Sequence, residues 1–223
     1  MAPFGRIYTY PNNYRVQRVQ AIAALNGLEV EVVPDFQMGV TNKTPEFLAK
    51  FPLGKVPAFE TADGSLQLTE GQAIARFVAE SGPKADQLVG ADPKTRALIE
   101  MWTCFAEQEL GANLVPPLLM VVAKMFPYDE ARYNFHVAAV ERALKRIEHE
   151  LKDGRKFLVG GQLTLADIMI AGVLQLGTKF VVDKDMRKEV PAVEAYLKAI
   201  MEIPEMKQAF GDLQACETRV KPE

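Results

Sequence analysis

Cysteine is almost missing from this chain of 223 residues, which has only Cys104 and Cys216, far apart and in no CxxC pair. That scarcity excludes a disulfide-stapled secreted scaffold and a redox dithiol of the protein's own, and it points to a reducing, cytoplasmic compartment. Histidine is as scarce, with His136 and His149 alone. Neither sits in a Cys/His cluster, so no metal site is expected. An excess of basic charge is missing too: 26 Lys and Arg against 29 Asp and Glu leave a formal net charge of −3 and no dense basic cluster. A nucleic-acid partner, which calls for a basic face, is therefore not expected. Long apolar runs are absent, and none approaches the ~20 residues of a membrane-spanning helix. The longest candidate, around Leu114 to Met125, is interrupted by two prolines and Lys124. The opening MAPFGRIYTY lacks a charged region followed by an apolar stretch, so no secretory signal is expected.

What is present is an ordinary globular composition, 48% apolar and 25% charged, in a chain long enough for two small domains. The first part alternates strands and helices. Ile7 to Tyr10 reads as a strand, and Val16, Val19, Ile22, Ala23 and Asn26 mark a helix stopped by Gly27. Leu28, Val30 and Val32 alternate with glutamates as a strand, and PEFLAKF opens a short helix on proline. KVPAFET and SLQLT read as a hairpin around Ala62-Asp63-Gly64, and EGQAIARFVAES closes the unit as a helix. The order β-α-β-α-β-β-α is that of a thioredoxin-like fold. From Ser81 onward SGPKADQLVGADPKT reads as a linker, and beyond it every periodic segment is helical. Asp92-Pro93 opens one helix, Val137 to Leu151 carries another up to Gly154, and Leu165–Leu176, Pro191–Met201 and a short piece near Pro204–Phe210 follow. The expected architecture is an α/β domain over 1–81, a linker over 82–92 and an all-helical bundle domain over 93–223.

Three stretches carry chemistry. In GKVPAFE, Pro57 cannot donate to a sheet ladder, so it belongs at a strand start or an edge. A cis Val56–Pro57 bond, which the surrounding strand order favours over a trans edge proline, turns the Val56 backbone toward an extended peptide. In LTEGQAI, Thr69 and Gln72 read as a capping box, a sufficient structural explanation by itself. Yet the helix N–H groups at Gly71 and Gln72 favour a carboxylate, Glu70 accepts from an ammonium, and Lys55 can hold a second carboxylate. In FLVGGQLTLADI, Thr164 and Asp167 make a helix start with Leu163 and Ile168 as a hydrophobic staple, and the structural reading wins. An extended peptide with two carboxylates and one amine satisfies the first two stretches together, and that description is glutathione.

On these segments the sequence resembles the cytosolic glutathione transferases over nearly its whole length. TNKTPEFLAKFPLGKVPAFE makes it most similar to the class formed by the N-terminal part of translation elongation factor 1B gamma. The resemblance implies that Val56, beside cis-Pro57, pairs with the cysteinyl backbone of glutathione, and that Glu70 and Gly71 hold its γ-glutamyl end. It implies a homodimer in which the small domain of one subunit packs on the helical domain of another. It also implies a pocket for a small apolar electrophile, for which Tyr14, Met101 and Phe105 are the candidate lining; Trp102 reads as core, and His136 as structural or exposed. One departure stands out: many members have serine where this chain has Gly71, so the backbone donor stays and a hydroxyl is lost.

The corner YTYPNNYRVQ is where thioredoxins keep their CxxC. Here it offers no cysteine or serine, and Pro11 has no N–H. The helix start can instead stabilise the thiolate of a bound glutathione. Asn12 and Asn13 are the nearest donors and Tyr10 the alternative, while the competing reading is an asparagine that only caps the helix. Three functions remain: conjugation of glutathione to an electrophile, glutathione-assisted double-bond isomerisation as in free-standing fungal biosynthetic members of this branch, and a non-catalytic interaction module as in the elongation-factor subunit. The chain stops at Glu223 with no linker or second domain after ETRVKPE, which fits a free-standing relative or a truncated chain.

Overall fold

The structure, a computed structural model, describes residues 3–222; Met1, Ala2 and Glu223, the outermost residues of the two expected domains, lie outside the described residues. The chain divides into two compact units between Val89 and Gly90.

The first unit is built on a four-stranded sheet of order β2-β1-β3-β4. Strand β1 (Gly5–Tyr8) pairs parallel with β2 (Val30–Val32) and antiparallel with β3 (Ala58–Thr61), and β3 pairs antiparallel with β4 (Gln67–Leu68). The parallel pair needs a crossover, supplied by α1 (Tyr14–Leu25). Asn13 caps α1 by accepting the Arg15 N–H at 3.1 Å, and Gly27, at φ +65°, ends it in the left-handed region that favours glycine. Strand alternation sorts the side chains between two faces. Ile7 and Phe59, a register pair, are fully buried on one face, as are Ile22, Ile74 and Val78 of the two long helices of this unit. Tyr8, paired with Ala58, faces the other way onto Phe47 and Phe51 around helix α2 (Pro45–Lys50), with ring centroids 5.4 and 5.7 Å away. Helix α3 (Gly71–Glu80) closes the sheet unit.

Two local readings are corrected here. The capping box does not form: α3 begins one residue later than expected, capped in position by Glu70 at φ +64°, with no side-chain hydrogen bond from it. That backbone kink leaves Thr69 before the cap and puts Gln72 at the second helical position, out of step for the reciprocal pair. Residues 82–92, read as linker, contain helix α4 (Ala85–Val89), whose Leu88 and Val89 are buried.

The second unit is helical throughout. Asp92 caps α5 (Pro93–Phe105) through the N–H groups of Lys94 and Thr95. A π-helical turn, Ala106–Gly111, runs directly into α6 (Ala112–Val121), which contains Pro116 and Pro117. Then come α7 (Glu130–Leu151), α8 (Leu165–Phe180), α9 (Lys184–Lys188), α10 (Pro191–Met201) and α11 (Pro204–Phe210). The sequence hid α6, because adjacent prolines remove two ladder donors and read as an interruption. Helix α8 is apolar nearly all round and forms the centre of the bundle. Its start is fixed by the buried Asp167, whose carboxylate accepts the Thr164 N–H and hydroxyl, the Leu158 N–H and the Tyr196 hydroxyl. Burial pushes the Asp167 carboxyl above the ordinary carboxylate range against those bonds.

Candidate functional site

The register of the first unit gathers the sequence candidates at one end of its sheet. Phe59 pairs with Leu68 and Ala58 with Tyr8. Continuing the β3–β4 register outward by two residues brings Pro57 opposite Glu70. Strand β1 leaves this same edge at Tyr8, and the chain turns through Tyr10, Pro11 and Asn12 into α1. The Val56–Pro57 peptide bond is cis.

The corner separates its candidates. Asn13 is buried, 3% exposed. Its oxygen accepts the Arg15 N–H, and its Nδ2 donates to Thr9 Oγ1 at 3.1 Å. Asn12 is exposed and sits at φ +58°, a conformation asparagine tolerates better than most residues. Tyr10 is also exposed. Tyr8, behind them, donates its hydroxyl to Glu60 Oε1 at 2.8 Å. Burial first, then that bond and the charge of Glu60, hold the Tyr8 phenol above its ordinary pKa. A phenol so held keeps its proton at neutral pH.

Glu60 is the buried centre of this face, 1% exposed. Arg6 Nε lies 2.6 Å and Lys50 Nζ 2.7 Å from its oxygens. Burial acts to raise its pKa, but the bonds from Lys50 and Tyr8 outweigh burial and hold it below the ordinary range.

The loop that delivers Lys55, Val56 and Pro57 is pinned from behind. Asn42, fully buried, donates through Nδ2 to the Gly54 carbonyl at 2.6 Å and accepts the Gly39 N–H at 2.6 Å. Lys43 reaches toward the same loop: its Nζ lies 3.6 Å from where a Cβ on Gly54 would stand. Lys55 is exposed. At the start of α3, Glu70 is exposed and strained at positive φ, a conformation that costs of order 1–3 kcal/mol.

Tyr14, expected to line the pocket, is buried to 6% exposure, and the guanidinium carbons of Arg15 and Arg18 lie 4.6 and 4.8 Å from its ring centroid. Little of it is left to meet a substrate. Met101 and Phe105 belong to the helical unit, where Met101 is 46% exposed and Phe105 packs edge-on against Trp102 at 5.3 Å. Sequence reasoning missed Asn42, Lys43 and Arg15. The first two lie within the quoted TNKTPEFLAKFPLGKVPAFE run, but nothing in a linear string shows that Asn42 bonds a loop 12 residues on.

Among the described residues, no group of His, Cys, Asp or Glu gathers as a metal set. None of the helices described is long and apolar enough to cross a membrane.

Comparison with known proteins gives the family and the fold. The glutathione S-transferase N-terminal domain family matches residues 4–80 and the C-terminal domain family residues 102–204. A glutathione S-transferase-like protein of a Fusarium species, LUC7, is 45% identical over 95% of this chain and 94% of its own length. Elongation factor 1-gamma of Prunus avium is 38% identical over 88% of this chain, which spans only 46% of that protein. The crystal structure of glutathione transferase URE2P6 from Phanerochaete chrysosporium, in complex with oxidized glutathione, superposes with a TM-score of 0.83 at 20% identity, covering 93% of this chain and 95% of that one.

Proposed function

The chain belongs to the glutathione S-transferase family, and from that premise we propose that it binds glutathione at the Pro57–Glu70 edge and lowers the pKa of its thiol. The observation that carries this is the β3–β4 pairing, which ends with Phe59 against Leu68, so that Pro57 and Glu70 follow at the same edge of the sheet, beside the corner where α1 begins. The Val56 backbone pairs with the cysteinyl residue, the Glu70 carboxylate accepts from the ammonium, and the Gly71 N–H donates to the neighbouring carboxylate. Lys55, with Lys43 beside it, holds the glycyl carboxylate. Asn12, exposed at the corner, donates its amide to the sulfur, whereas the Asn13 amide is engaged in capping α1.

A free thiol has a pKa of ~8.5, so a fall of ~2 units, worth ~2.7 kcal/mol, leaves it mostly ionised at neutral pH. The thiolate then attacks an electrophilic carbon of a small apolar substrate: a C–S bond forms and the leaving group departs with its electron pair. The same nucleophile can add to a conjugated double bond, permit rotation and leave again, which is the isomerase variant of this reading.

Calorimetry tests the site. Glu70→Ala is expected to weaken glutathione binding about tenfold or more, as for a lost charge-assisted bond of ~1.5–3 kcal/mol. Unchanged affinity would place the peptide elsewhere.

A second reading is favoured by the elongation-factor relatives and by a corner with neither cysteine nor serine. On it, the chain is a non-catalytic interaction module. Glutathione-dependent turnover of a chlorodinitrobenzene electrophile no faster than the uncatalysed rate would favour that module.

A further inference from the structure

The helical unit carries a groove of its own, away from the residues described above. Helix α10 presents Ala192, Ala195 and Ala199 on one face, and the segment 152–157 that follows α7 lines the same groove. Alanines leave open the room that larger apolar side chains would fill in a close-packed interior. Gly154, at φ +80°, adds no bulk either: a Cβ built there would meet nothing within 4 Å. The resulting groove has a volume of about 730 Å³, inside the ~300–1,000 Å³ range of small-molecule sites. Its floor is apolar. Leu151, Tyr196 and Ile200 are buried there, and Tyr196 spends its hydroxyl on Asp167 at 2.9 Å, which leaves the ring. The rim is cationic, with Lys152, Arg155 and Lys156 all exposed. Glu148 is the one acid among the described lining residues, and its oxygens accept the Ala192 and Val193 N–H groups at 3.2 and 2.9 Å. The Arg155 guanidinium is held by Asp153 and Glu150, and Lys152 Nζ lies 3.2 Å from an imidazole nitrogen of His149. Among the described residues, the ammonium groups of Lys152 and Lys156 are therefore the uncompensated charge of the rim.

We propose that this groove binds a small apolar molecule bearing one anionic group, a carboxylate or a sulfonate. The apolar body lies on Leu151, Tyr196 and Ile200 against the alanines of α10, where burial out of water supplies the affinity. The anion meets Lys152 and Lys156 at the rim, where charge-assisted bonds select its sign. Both lysines stand on flexible stems that can lie along apolar surface while the charged end reaches the ligand. A cation of the same shape meets only like charge, and a polyanion without an apolar body makes no use of the floor. The groove is built entirely from the helical unit, so the assignment is independent of the glutathione reading of the first unit.

The test is calorimetry on the full chain with three probes of one chain length: decanoate, decanol and decyltrimethylammonium. Decanoate is expected to bind saturably, one molecule per chain, and about fivefold or more tighter than decanol, with the cation weakest. Replacing both rim lysines, Lys152→Ala with Lys156→Ala, should remove the preference for decanoate over decanol while decanol binding changes little. Loosening of the fold would not produce that pattern. Ala199→Trp, at an exposed position of α10, should fill the groove and weaken decanoate and decanol alike, by about tenfold or more. Lys198→Ala, on the same helix but outside the groove, is the control and should leave both unchanged. S-hexylglutathione, which would occupy the site proposed in the first unit, should not displace decanoate. Equal affinity for decanoate and decanol overturns the proposal, as does full decanoate affinity in the double-lysine variant. Displacement by S-hexylglutathione, or uptake of decanoate without saturation, overturns it as well. Should Ala199→Trp fail to fold, the exposed lysine pair decides the question by itself.

Discussion

At the corner before α1, two neighbouring asparagines differ in setting: Asn13 is buried and Asn12 exposed. The sequence offers both as donors, because a capping amide and a thiol-activating amide are the same group in a linear string. Burial and backbone separate them. Asn13 is enclosed between Thr9 and the Arg15 N–H, so Asn13→Ala is expected to lower stability by about 1 kcal/mol, read as a lower urea midpoint. Asn12 sits at φ +58°, where alanine would add strain of its own, so Asn12→Gly is the cleaner deletion. It should leave the urea midpoint nearly unchanged, raise the pKa of bound glutathione by about one unit and slow turnover. The thiolate absorbance against pH measures that pKa. An unchanged curve in Asn12→Gly, with a raised pKa in Tyr10→Phe, would hand the role to the tyrosine. What no residue-by-residue reading could anticipate is that the Arg15 stem lies against Gly71, 56 positions along the chain.

Elements were legible where periodicity governs and illegible where a single backbone angle does. The strand order and α1, α5, α7, α8 and α10 follow from apolar spacing and caps. The start of α3 moved because Glu70 adopts a positive φ, which no spacing encodes. Helix α2 is tied to its sheet by a buried carboxylate that links three elements: Glu60 on β3, with its partners Arg6 and Tyr8 on β1 and Lys50 on α2. The folded pKa of Glu60 is lowered. Its contribution is therefore complete above the unfolded value of about 4.3 and is lost as pH falls through the folded value. Glu60→Gln should accordingly cost roughly 2 kcal/mol at neutral pH, less than a fully buried pair because Arg6 and Lys50 are partly solvated. The gap between variant and wild type should narrow on acidification below the ordinary carboxylate range. Urea unfolding at a series of pH values reads both quantities, and a gap that widens in acid would contradict the assigned sign.

For the whole molecule, the family resemblance reached further than composition. Composition bounded the classes of partner, while the long run through TNKTPEFLAKFPLGKVPAFE pointed to the family that the domain matches and the Fusarium relative bear out. Oligomeric state is a proposal. The first unit exposes Met38, Val40 and Leu53, the last of them 66% exposed. A homodimer covering these residues is expected, and light scattering at micromolar concentration should return about twice the 24.7 kDa chain mass. A mass equal to one chain would dismiss it. Leu53→Glu should shift the protein toward the single-chain mass, since a carboxylate in such an interface stays unpaired.

The π-helical turn between α5 and α6 has a consequence for how the helical unit tolerates change in length. One row of buried positions through it steps by four: Trp102, Ala106, Leu110, Leu114, Leu118. A regular helix of ~3.6 residues per turn would let such a ladder slide around its circumference. The wide turn Ala106–Gly111 takes up the surplus and keeps these side chains in phase. Removing one residue within it would wind the rest of the helix by ~100°, carrying Leu114 and Leu118 out of alignment while leaving every downstream residue unchanged in kind. In this stretch the count of residues matters as much as their identity, so a length polymorphism there acts as a rotation.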